Sequence, residues 1–389
     1  MADHYDVVVV GGGIHGVGVA QAAACYGYSV LLLEKTALAA GSSSRSSKLI
    51  HGGLRYLEGG DFGLVRESLV ERAILLQIAP ELVRLQPFHI PVYPETSRRP
   101  PAIRAGLTLY ALLGGLERSS RFKKVTRDHW GRLDGLATDR LQAVYRYHDA
   151  QTNDADLTRA VMQSAIDHGA HLSCPSEFLT ATIGKQGVDI LFRDNTAERN
   201  CTATTLVNAG GPWVNTIAER ISPQPAGIDV DLVQGSHLVL EGSLTAGCYY
   251  MEAPRDRRAV FLLPWGEQSM LGTTENVYRG DPAQVTTLAS EEDYLLAVMA
   301  HYFPERSQQV VASFAGLRVL PASGNSTFKR TRETRLPADD PARPRTVAIY
   351  GGKLTGYRAA AEKVMKILRR TLPERKRRAN TAELPLQPV

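Results

Sequence analysis

The sequence is poor in cysteine and in long apolar runs, and each shortage excludes a class of protein. Four cysteines occur among 389 residues, far apart and without a Cys-x-x-Cys pair. This spacing argues against a disulfide framework or a zinc site and is typical of a reducing compartment. No apolar run approaches the roughly 18 residues needed to span a bilayer. The longest candidate, residues 106–116, is shorter and broken by glycines. We therefore expect no membrane-spanning helix and no bound metal.

The N-terminus lacks a basic segment ahead of an apolar core, which a secretory signal requires. Together with the sparse cysteines, this predicts a cytoplasmic location. We find no internal repeat. A chain of 389 residues exceeds the size of one ordinary core, so two domains are expected.

Net charge is also small, because 45 basic and 40 acidic residues leave an excess of +5. The excess is concentrated near the end, where residues 369–378 carry six Lys and Arg side chains. We interpret this segment, with the tail 376–389, as a solvated helix end. The alternative is peripheral contact with the inner face of an anionic membrane, at about 1 kcal/mol per basic residue. No aromatic residue is interleaved for base stacking, so nucleic-acid binding is not expected.

The first motif lies directly after an apolar run. Residues 5–10 (YDVVVV) have the composition of a buried parallel strand and lead into GGGIHGVG. Helix-permissive sequence follows, then a second apolar run at residues 28–33 that ends in Glu34. Strand, glycine turn, helix, strand and acid together indicate an adenine dinucleotide site. The turn would bring backbone close to a pyrophosphate, and Glu34 would accept hydrogen bonds from the ribose. The unit by itself leaves NAD and FAD open.

Two later strand-like runs also end in glycine pairs. Residues 204–209 lead into Gly210-Gly211, and residues 347–350 lead into Gly351-Gly352-Lys353-Leu354-Thr355 before helix-like sequence. Each pair alone could be an ordinary turn. Together with the first motif they suggest a sheet whose strand ends all face one large ligand. The serine-rich connection after Glu34 could be a flexible linker, although the Lys, His and Arg beyond it are unusual in a spacer.

The ordered set of motifs resembles one enzyme family, the FAD-dependent glycerol-3-phosphate dehydrogenases within the D-amino-acid-oxidase-like flavoproteins. The resemblance runs from about Tyr5 to Arg358. It is carried by GGGIHGVG, SSKLIHGGLRYLE, VNAGGPW, QGSH, LPWGEQSMLGTTENVYRGDP, GLRVL and GGKLTGYR. The fold it implies is α/β, with a Rossmann-like FAD-binding domain and a second, mostly antiparallel β-sheet substrate domain.

The resemblance also implies site residues. The cofactor FAD would be bound by Gly11, Gly13, Ile14, His15, Gly16, Glu34, Lys35, Ser43, Ser47, Lys48, His51, Gly211, Gly352, Lys353, Leu354 and Thr355. The substrate would be met by Arg55, Tyr56, Thr274, Arg318 and Lys353. The catalytic group would comprise His237, Arg318 and His51, with His237 the first candidate for the general base and His51 the alternative. A strand histidine satisfied by backbone is an equally simple interpretation of His237.

The implied reaction is hydride transfer from C2 of sn-glycerol 3-phosphate to flavin N5, giving dihydroxyacetone phosphate. Electrons would pass to a quinone or another acceptor. Two alternatives stay open: an oxidase of an amine or hydroxy acid that forms hydrogen peroxide, and a non-catalytic flavoprotein subunit. Assembly as a homo-oligomer is a further open prediction.

The expected domains are discontinuous. We assign 1–85, 148–227 and 311–375 to the FAD-binding domain and 86–147 with 228–310 to the substrate domain. Asp154 is expected to cap a helix that follows Gln151.

The chain departs from the family pattern in three ways. Gly356 stands where a threonine is more common, and Val319-Leu320, not proline, follows Arg318. Family members also usually continue into a helical domain after the last motif, so the resemblance leaves oligomerisation, membrane docking and the electron acceptor open.

Overall fold

A computed structural model of the chain describes residues 3–322 and 333–389. Its strands form two sheets. The first contains β1 (Asp3–Val10), β2 (Val30–Leu33), β7 (Ala170–Ser173), β8 (Ser176–Ile183), β9 (Val188–Asp194), β10 (Glu198–Asn208), β11 (Ile221–Ser222) and β18 (Thr346–Ala348). The second contains β3 (Leu49–Ile50), β4 (Val83–Val92), β5 (Lys123–Val125), β6 (Ala143–Thr152), β12 (Val230–Leu240), β13 (Cys248–Glu252), β14 (Ala259–Trp265), β15 (Gln268–Gly272), β16 (Asn276–Tyr278) and β17 (Val310–Pro321).

The centre of the first sheet is parallel and buried on both faces. Its order is β11-β8-β9-β10-β1-β2-β7, and β18 lies beside the end of β10. Strand β1 pairs in parallel with both β10 and β2, and residues 7–10 are buried valines. A run of β-branched residues suits such a strand because neither face meets water. The antiparallel pairs β8–β9 and β9–β10 extend one edge.

The helices cover both sheets. They are α1 (Ile14–Cys25), α2 (Phe62–Ile78), α3 (Pro100–Leu113), α4 (Asp154–Asp167), α5 (Val214–Ala218), α6 (Ala289–Tyr302) and α7 (Tyr357–Leu368). Helix α1 is alanine-rich and almost wholly buried, and it packs against α4 and α7 over the parallel strands. Its small side chains allow this close approach. The mixed α/β class predicted from the sequence is thereby confirmed.

The second sheet is antiparallel in every strand pair of the described residues except β13–β4. Strand β17 pairs with β12 along eleven positions, from Val230↔Pro321 to Leu240↔Val310. Residues 311–321, which we assigned to the FAD-binding domain, therefore lie in the second sheet, as do residues 49–50 of β3, 83–85 of β4 and 148–152 of β6. Strand pairing alone does not define domain limits, so our domain boundaries stay a prediction. Residues 323–332 of the segment 311–375 lie outside the described residues.

The helix predicted after Gln151 exists, but its N-cap is one residue earlier than expected. The Asn153 side chain accepts a hydrogen bond from the backbone N–H of Ala155 at 3.2 Å. Asp154, the first residue of the helix, is fully buried; it accepts from the same N–H at 2.9 Å and also pairs with Lys48. The cap prediction was therefore wrong by one residue.

The basic residues near the end of the chain are exposed, as expected, but the tail beyond them is partly docked on the protein. Arg375 forms an ion pair with Asp6 of β1 at 3.0 Å, and Arg377 pairs with Glu362 of α7 at 2.6 Å. Leu386 is buried in the core that α1 and α7 share, and its backbone N–H donates to the Ile78 carbonyl at 2.7 Å. The tail 376–389 thus packs beside α1 and α7 through Leu386, while Lys376, Arg377 and Arg378 stay exposed.

Candidate active site

The three glycine turns meet at one edge of the parallel sheet. Register places Val10 of β1 opposite Asn208 of β10, and Asn208 opposite Ala348 of β18. The strands therefore end together, and each is followed by its glycine pair. Crevices outside the carboxyl ends of parallel strands are where such sheets bind ligands. The strand ends thus meet as expected, and a common ligand at this edge stays a prediction.

The first turn is formed by very close backbone contacts. A Cβ on Gly11, whose φ is +112°, would lie 2.6 Å from the Ala209 carbonyl oxygen. A Cβ on Gly16 would lie 1.9 Å from the Gly11 carbonyl oxygen. The Ser43 hydroxyl accepts from the backbone N–H of Ile14 at 2.9 Å, beside Gly13. These contacts fix the start of α1, whose N-terminus favours a phosphate.

Glu34 lies against this turn. One carboxylate oxygen accepts from the Gly12 N–H at 2.7 Å and the other from the Thr36 N–H at 2.8 Å. The acid is therefore held at the end of β2, beside the glycines. Its neighbour Lys35 directs its ammonium to Glu177 of β8 at 3.2 Å, on an exposed surface.

The last turn contacts the first. A Cβ on Gly352, with φ +90°, would lie 2.4 Å from Nε2 of His15. The His15 ring is enclosed there, and burial lowers its pKa to about 4. Its Nδ1 has no hydrogen-bond partner among the described residues. Leu354 and Thr355 continue the turn into α7, and Gly211 forms the matching turn after β10 with φ +53°.

The serine-rich connection is an ordered part of this site. The Ser42 hydroxyl donates to the Leu317 carbonyl of β17 at 2.7 Å, and the Ser46 N–H donates to Asp154 at 3.0 Å. Lys48 is buried, with its ammonium bonded to the Ser44 carbonyl and paired with Asp154. Specific bonds to two distant elements exclude the flexible-linker interpretation.

His237 lies on β12 in a closely fitted pocket. Its ring stacks on Phe314 with centroids 4.9 Å apart, and Nε2 lies 2.9 Å from the Ser47 hydroxyl. A Cβ on Gly272 would lie 2.2 Å from the ring, so glycine is needed to admit the imidazole. Burial, reinforced by the positive charges of Arg318 and Lys48, lowers the pKa of His237 to about 3. The ring is therefore neutral at physiological pH.

Arg318 reaches across β12 from β17. Its guanidinium donates to the Thr273 hydroxyl at 3.1 Å and to the Thr274 carbonyl at 3.4 Å, and lies 3.6 Å from a Glu275 oxygen. A Cβ on Gly235 would lie 2.7 Å from Nη2, which explains the glycine in QGSH. The structure thus joins the GLR, QGSH and GTTE motifs.

The Thr274 hydroxyl is used inside the protein. It donates to Glu291 at 2.7 Å and accepts from the Ser236 N–H at 2.9 Å, and the residue is buried. Its backbone carbonyl accepts from the Arg318 guanidinium.

A second group of cations gathers around Tyr56. The Lys353 ammonium lies 3.9 Å from the centre of the Tyr56 ring, and the Arg55 guanidinium carbon lies 5.2 Å from it. Lys353 also lies 3.4 Å from the Ser68 hydroxyl. Gly53, with φ +81°, lets the chain turn here, and its Cβ position is only 2.3 Å from the tyrosine ring.

Buried groups that the sequence reasoning missed hold this loop. The His51 N–H donates to the Thr355 hydroxyl at 3.0 Å, which ties the loop to the last glycine turn. The Gly52 N–H donates to the Tyr110 hydroxyl at 2.9 Å, which in turn donates to Asp149 at 2.7 Å. Arg72 pairs with Asp149 at 2.6 Å, and both side chains are buried. Tyr110, Asp149 and Arg72 carry no local motif, so only the tertiary contacts identify them.

The residues fit a bound dinucleotide. The glycines before and within the first turn of α1 leave its N-terminal N–H groups accessible to phosphates, and the Glu34 carboxylate lies at the end of β2. The Nδ1 atoms of His15 and His237 are buried and have no hydrogen-bond partner in the part of the chain that the structure describes, so a ligand could satisfy them. Within residues 3–322 and 333–389, we find no helix with the length and hydropathy of a bilayer span.

Comparison with known proteins gives concordant matches. The family model described as FAD dependent oxidoreductase matches residues 6–361. A glycerol-3-phosphate dehydrogenase from Pseudomonas aeruginosa is 38% identical over 375 residues, which cover 94% of this chain and 72% of the relative. A D-erythritol 1-phosphate dehydrogenase from Brucella abortus is 34% identical, over 95% of this chain and 74% of the relative. The crystal structure of glycerol-3-phosphate dehydrogenase from Bacillus halodurans complexed with FAD has a TM-score of 0.74 at 26% identity, covering 98% of this chain and 68% of that one.

Proposed function

The chain belongs to the FAD-dependent oxidoreductase family, and we propose that it binds FAD and oxidises sn-glycerol 3-phosphate to dihydroxyacetone phosphate. The names of the Pseudomonas and Bacillus relatives support this substrate. The Brucella relative supports a second candidate, the longer polyol phosphate D-erythritol 1-phosphate. Both are phosphate monoesters of a polyol.

The grouping of Arg55 and Lys353 on the Tyr56 ring is the observation that carries the substrate class. Two cations gathered at one ring create a positive local potential, which favours a doubly charged anion nearby. A phosphate monoester is nearly dianionic and accepts from guanidinium and ammonium groups. Arg318 adds a third cation at the His237 pocket.

We assign the proton transfer from the substrate hydroxyl to His237. Its imidazole is neutral at physiological pH, which is the form a base requires, and Nε2 lies 2.9 Å from the Ser47 hydroxyl. The low pKa makes it a weak base before substrate binds, so the negative charge that develops on the substrate oxygen has to assist the transfer. The positive charges of Arg318 and Lys48 would favour the alkoxide that forms next to them. His51, held by Thr355, is the alternative base.

The cofactor contacts are assigned to the glycine turns. Gly11, Gly13 and Gly16 with Glu34 would hold the ADP half, and residues 352–355 with Gly211 would border the ring system. When bound, FAD supplies the acceptor for the two electrons removed from the carbinol. The task of the protein is to orient the substrate and to place charge.

Anaerobic titration of the purified yellow protein with sn-glycerol 3-phosphate tests this function through the flavin absorbance. We expect sn-glycerol 3-phosphate to bleach the flavin rapidly and plain glycerol to leave its absorbance unchanged. In Arg318→Ala, the rate of bleaching by sn-glycerol 3-phosphate should fall strongly. Arg193→Ala, on an exposed residue of β9, is the matched control and should bleach like the wild type. Parallel titration with D-erythritol 1-phosphate ranks the two substrates. A fully loaded flavin that neither phosphate bleaches would refute the proposal.

The electron acceptor is proposed to be a quinone or another carrier, on the strength of the family resemblance. Oxygen consumption measured during turnover separates this from an oxidase. Stoichiometric hydrogen peroxide with no quinone reduction would favour the oxidase instead. Peripheral membrane contact and homo-oligomerisation are tested by vesicle flotation and by light scattering.

A further inference from the structure

Glu291 is a buried carboxylate with an unusual number of hydrogen-bond donors. It lies in the first turn of α6 and is 2% exposed. One oxygen accepts from Gln234 Nε2 and from the Ser236 hydroxyl, both at 2.6 Å. The other accepts from the Thr274 hydroxyl and from Asn276 Nδ2, both at 2.7 Å. Such a set can satisfy a charge that burial alone would make costly.

Capping of its own helix accounts for a small part of this arrangement. The Leu288 N–H donates to Glu291 at 3.1 Å, as an acid near a helix start commonly allows. The other four donors come from two different segments of the second sheet: residues 234–236 on β12 and residues 274–276 at the start of β16. Burial alone would raise the pKa of Glu291, but the bonds from Ser236 and Thr274 outweigh it and leave the pKa below its usual range. The carboxylate is therefore charged and acts as a clamp between the two segments.

Both clamped segments lead directly to proposed site residues. Ser236 immediately precedes His237, and its N–H donates to the Thr274 hydroxyl at 2.9 Å. Thr274 accepts from Arg318 through its carbonyl. The four hydrogen bonds to Glu291 thus fix the backbone next to His237 and the backbone carbonyl that accepts from Arg318.

We propose that Glu291 is a positioning residue for substrate oxidation, which holds His237 and Arg318 in their mutual geometry without touching the substrate. This inference rests on the proposed function, because it takes those two residues as the reacting and anion-binding groups. A displacement near 1 Å at a reacting group can cost about 100-fold in rate. The carboxylate is therefore expected to affect the rate from outside the pocket.

The test is Glu291→Gln, which keeps the shape but removes the charge and turns one acceptor into a donor. The matched control is Glu292→Gln, the same change one residue along α6. We expect the limiting rate of flavin reduction by sn-glycerol 3-phosphate to fall about 10- to 100-fold in the first variant only, with flavin content unchanged. The dissociation constant for inorganic phosphate, measured by calorimetry on the holoenzyme, should rise in the same variant.

Further variants separate positioning from simple stability. Ser236→Ala removes one of the hydrogen-bond donors to Glu291. In the double variant with Glu291→Gln, it should lower the rate of flavin reduction by less than it does alone, because both substitutions act through one contact. If the glutamine variant fails to fold, Glu291→Asp keeps the charge on a shorter side chain and should show an intermediate rate.

Wild-type rate and wild-type phosphate affinity in Glu291→Gln, or in the folded aspartate variant, would overturn the proposal. A lowered melting temperature with an unchanged rate and unchanged phosphate affinity would also overturn it. Glu291 would then serve only as a helix cap. If the wild type itself is not reduced by the substrate, the proposed function fails. Phosphate affinity then tests separately whether Glu291 positions Arg318. Weaker phosphate binding in Glu291→Gln than in Glu292→Gln supports this role, and equal or absent binding refutes it.

Discussion

Adding a single methyl group to a helical glycine should have opposite effects at two places in this chain. Gly16 lies in α1, and a Cβ there would be 1.9 Å from the Gly11 carbonyl oxygen. Gly106 lies in the middle of α3, where a Cβ would meet no atom within 4 Å. Neither glycine has a positive φ, so alanine is compatible with the helical backbone at both positions. The comparison isolates packing from propensity.

The magnitudes follow from the contacts. In Gly106→Ala the reduced backbone entropy of the unfolded chain stabilises by roughly 0.5–1 kcal/mol. In Gly16→Ala the same gain is opposed by overpacking, which costs about 1–3 kcal/mol in an ordinary core. The clash here is with backbone, and Gly11 is itself enclosed by Ala209, so we expect a cost at the upper end and a net loss of ~2 kcal/mol. Divided by an unfolding entropy of about 0.8 kcal/mol/K for 389 residues, this lowers Tm by about 2–3 °C.

Thermal unfolding and flavin content together provide the assay. Gly16→Ala should lower Tm and the fraction of bound FAD, because relief of the clash displaces the turn proposed to hold the pyrophosphate. Gly106→Ala should raise Tm slightly and keep full occupancy. Equal Tm and full FAD content in Gly16→Ala would refute the reasoning, since the turn would then have room that the structure denies it.

Three further predictions concern the C-terminal tail, Glu34 and the pH dependence of stability. Leu386→Ala removes a buried side chain and should lower the free energy of unfolding, measured in urea, by about 2–5 kcal/mol. Val389→Ala, at a residue that is 75% exposed, should leave it nearly unchanged. Equal effects would mean that the tail is not docked. Glu34→Gln should weaken FAD binding, measured by release of flavin on dilution, and unchanged retention would contradict the ribose contact. The pKa values of His15 and His237 lie near 4 and 3, below the value of about 6.5 in the unfolded chain. The unfolded state therefore binds more protons between those values, so stability should fall as pH drops from about 7 towards 4. His237→Asn should flatten that decline, and an unaltered slope would contradict the assignment.

Local sequence was sufficient where one segment supplies the whole signal. The valine run before GGGIHGVG, the following helix and Glu34 form one βαβ unit, so their arrangement follows from chain order. The same holds for α7 after the last glycine turn. Tail packing and the edges of the domains were not predictable in this way, because Arg375 and Leu386 find their partners more than 300 residues earlier in the chain.

The sequence by itself determined the parallel sheet, its glycine turns and the motifs that indicate a flavoprotein, since strand period, turn residues and helix composition act over short distances. The tertiary structure alone decided how the motifs meet. It brought His237 to Ser47, Arg318 to Thr273, and Arg55 with Lys353 to Tyr56. It also decided the roles of Asp149, Asp154 and Glu291, acids that look ordinary in the sequence. The physical reason is that a buried charge acquires its function from donors supplied by distant strands, and their convergence is fixed by packing, not by neighbours in the chain.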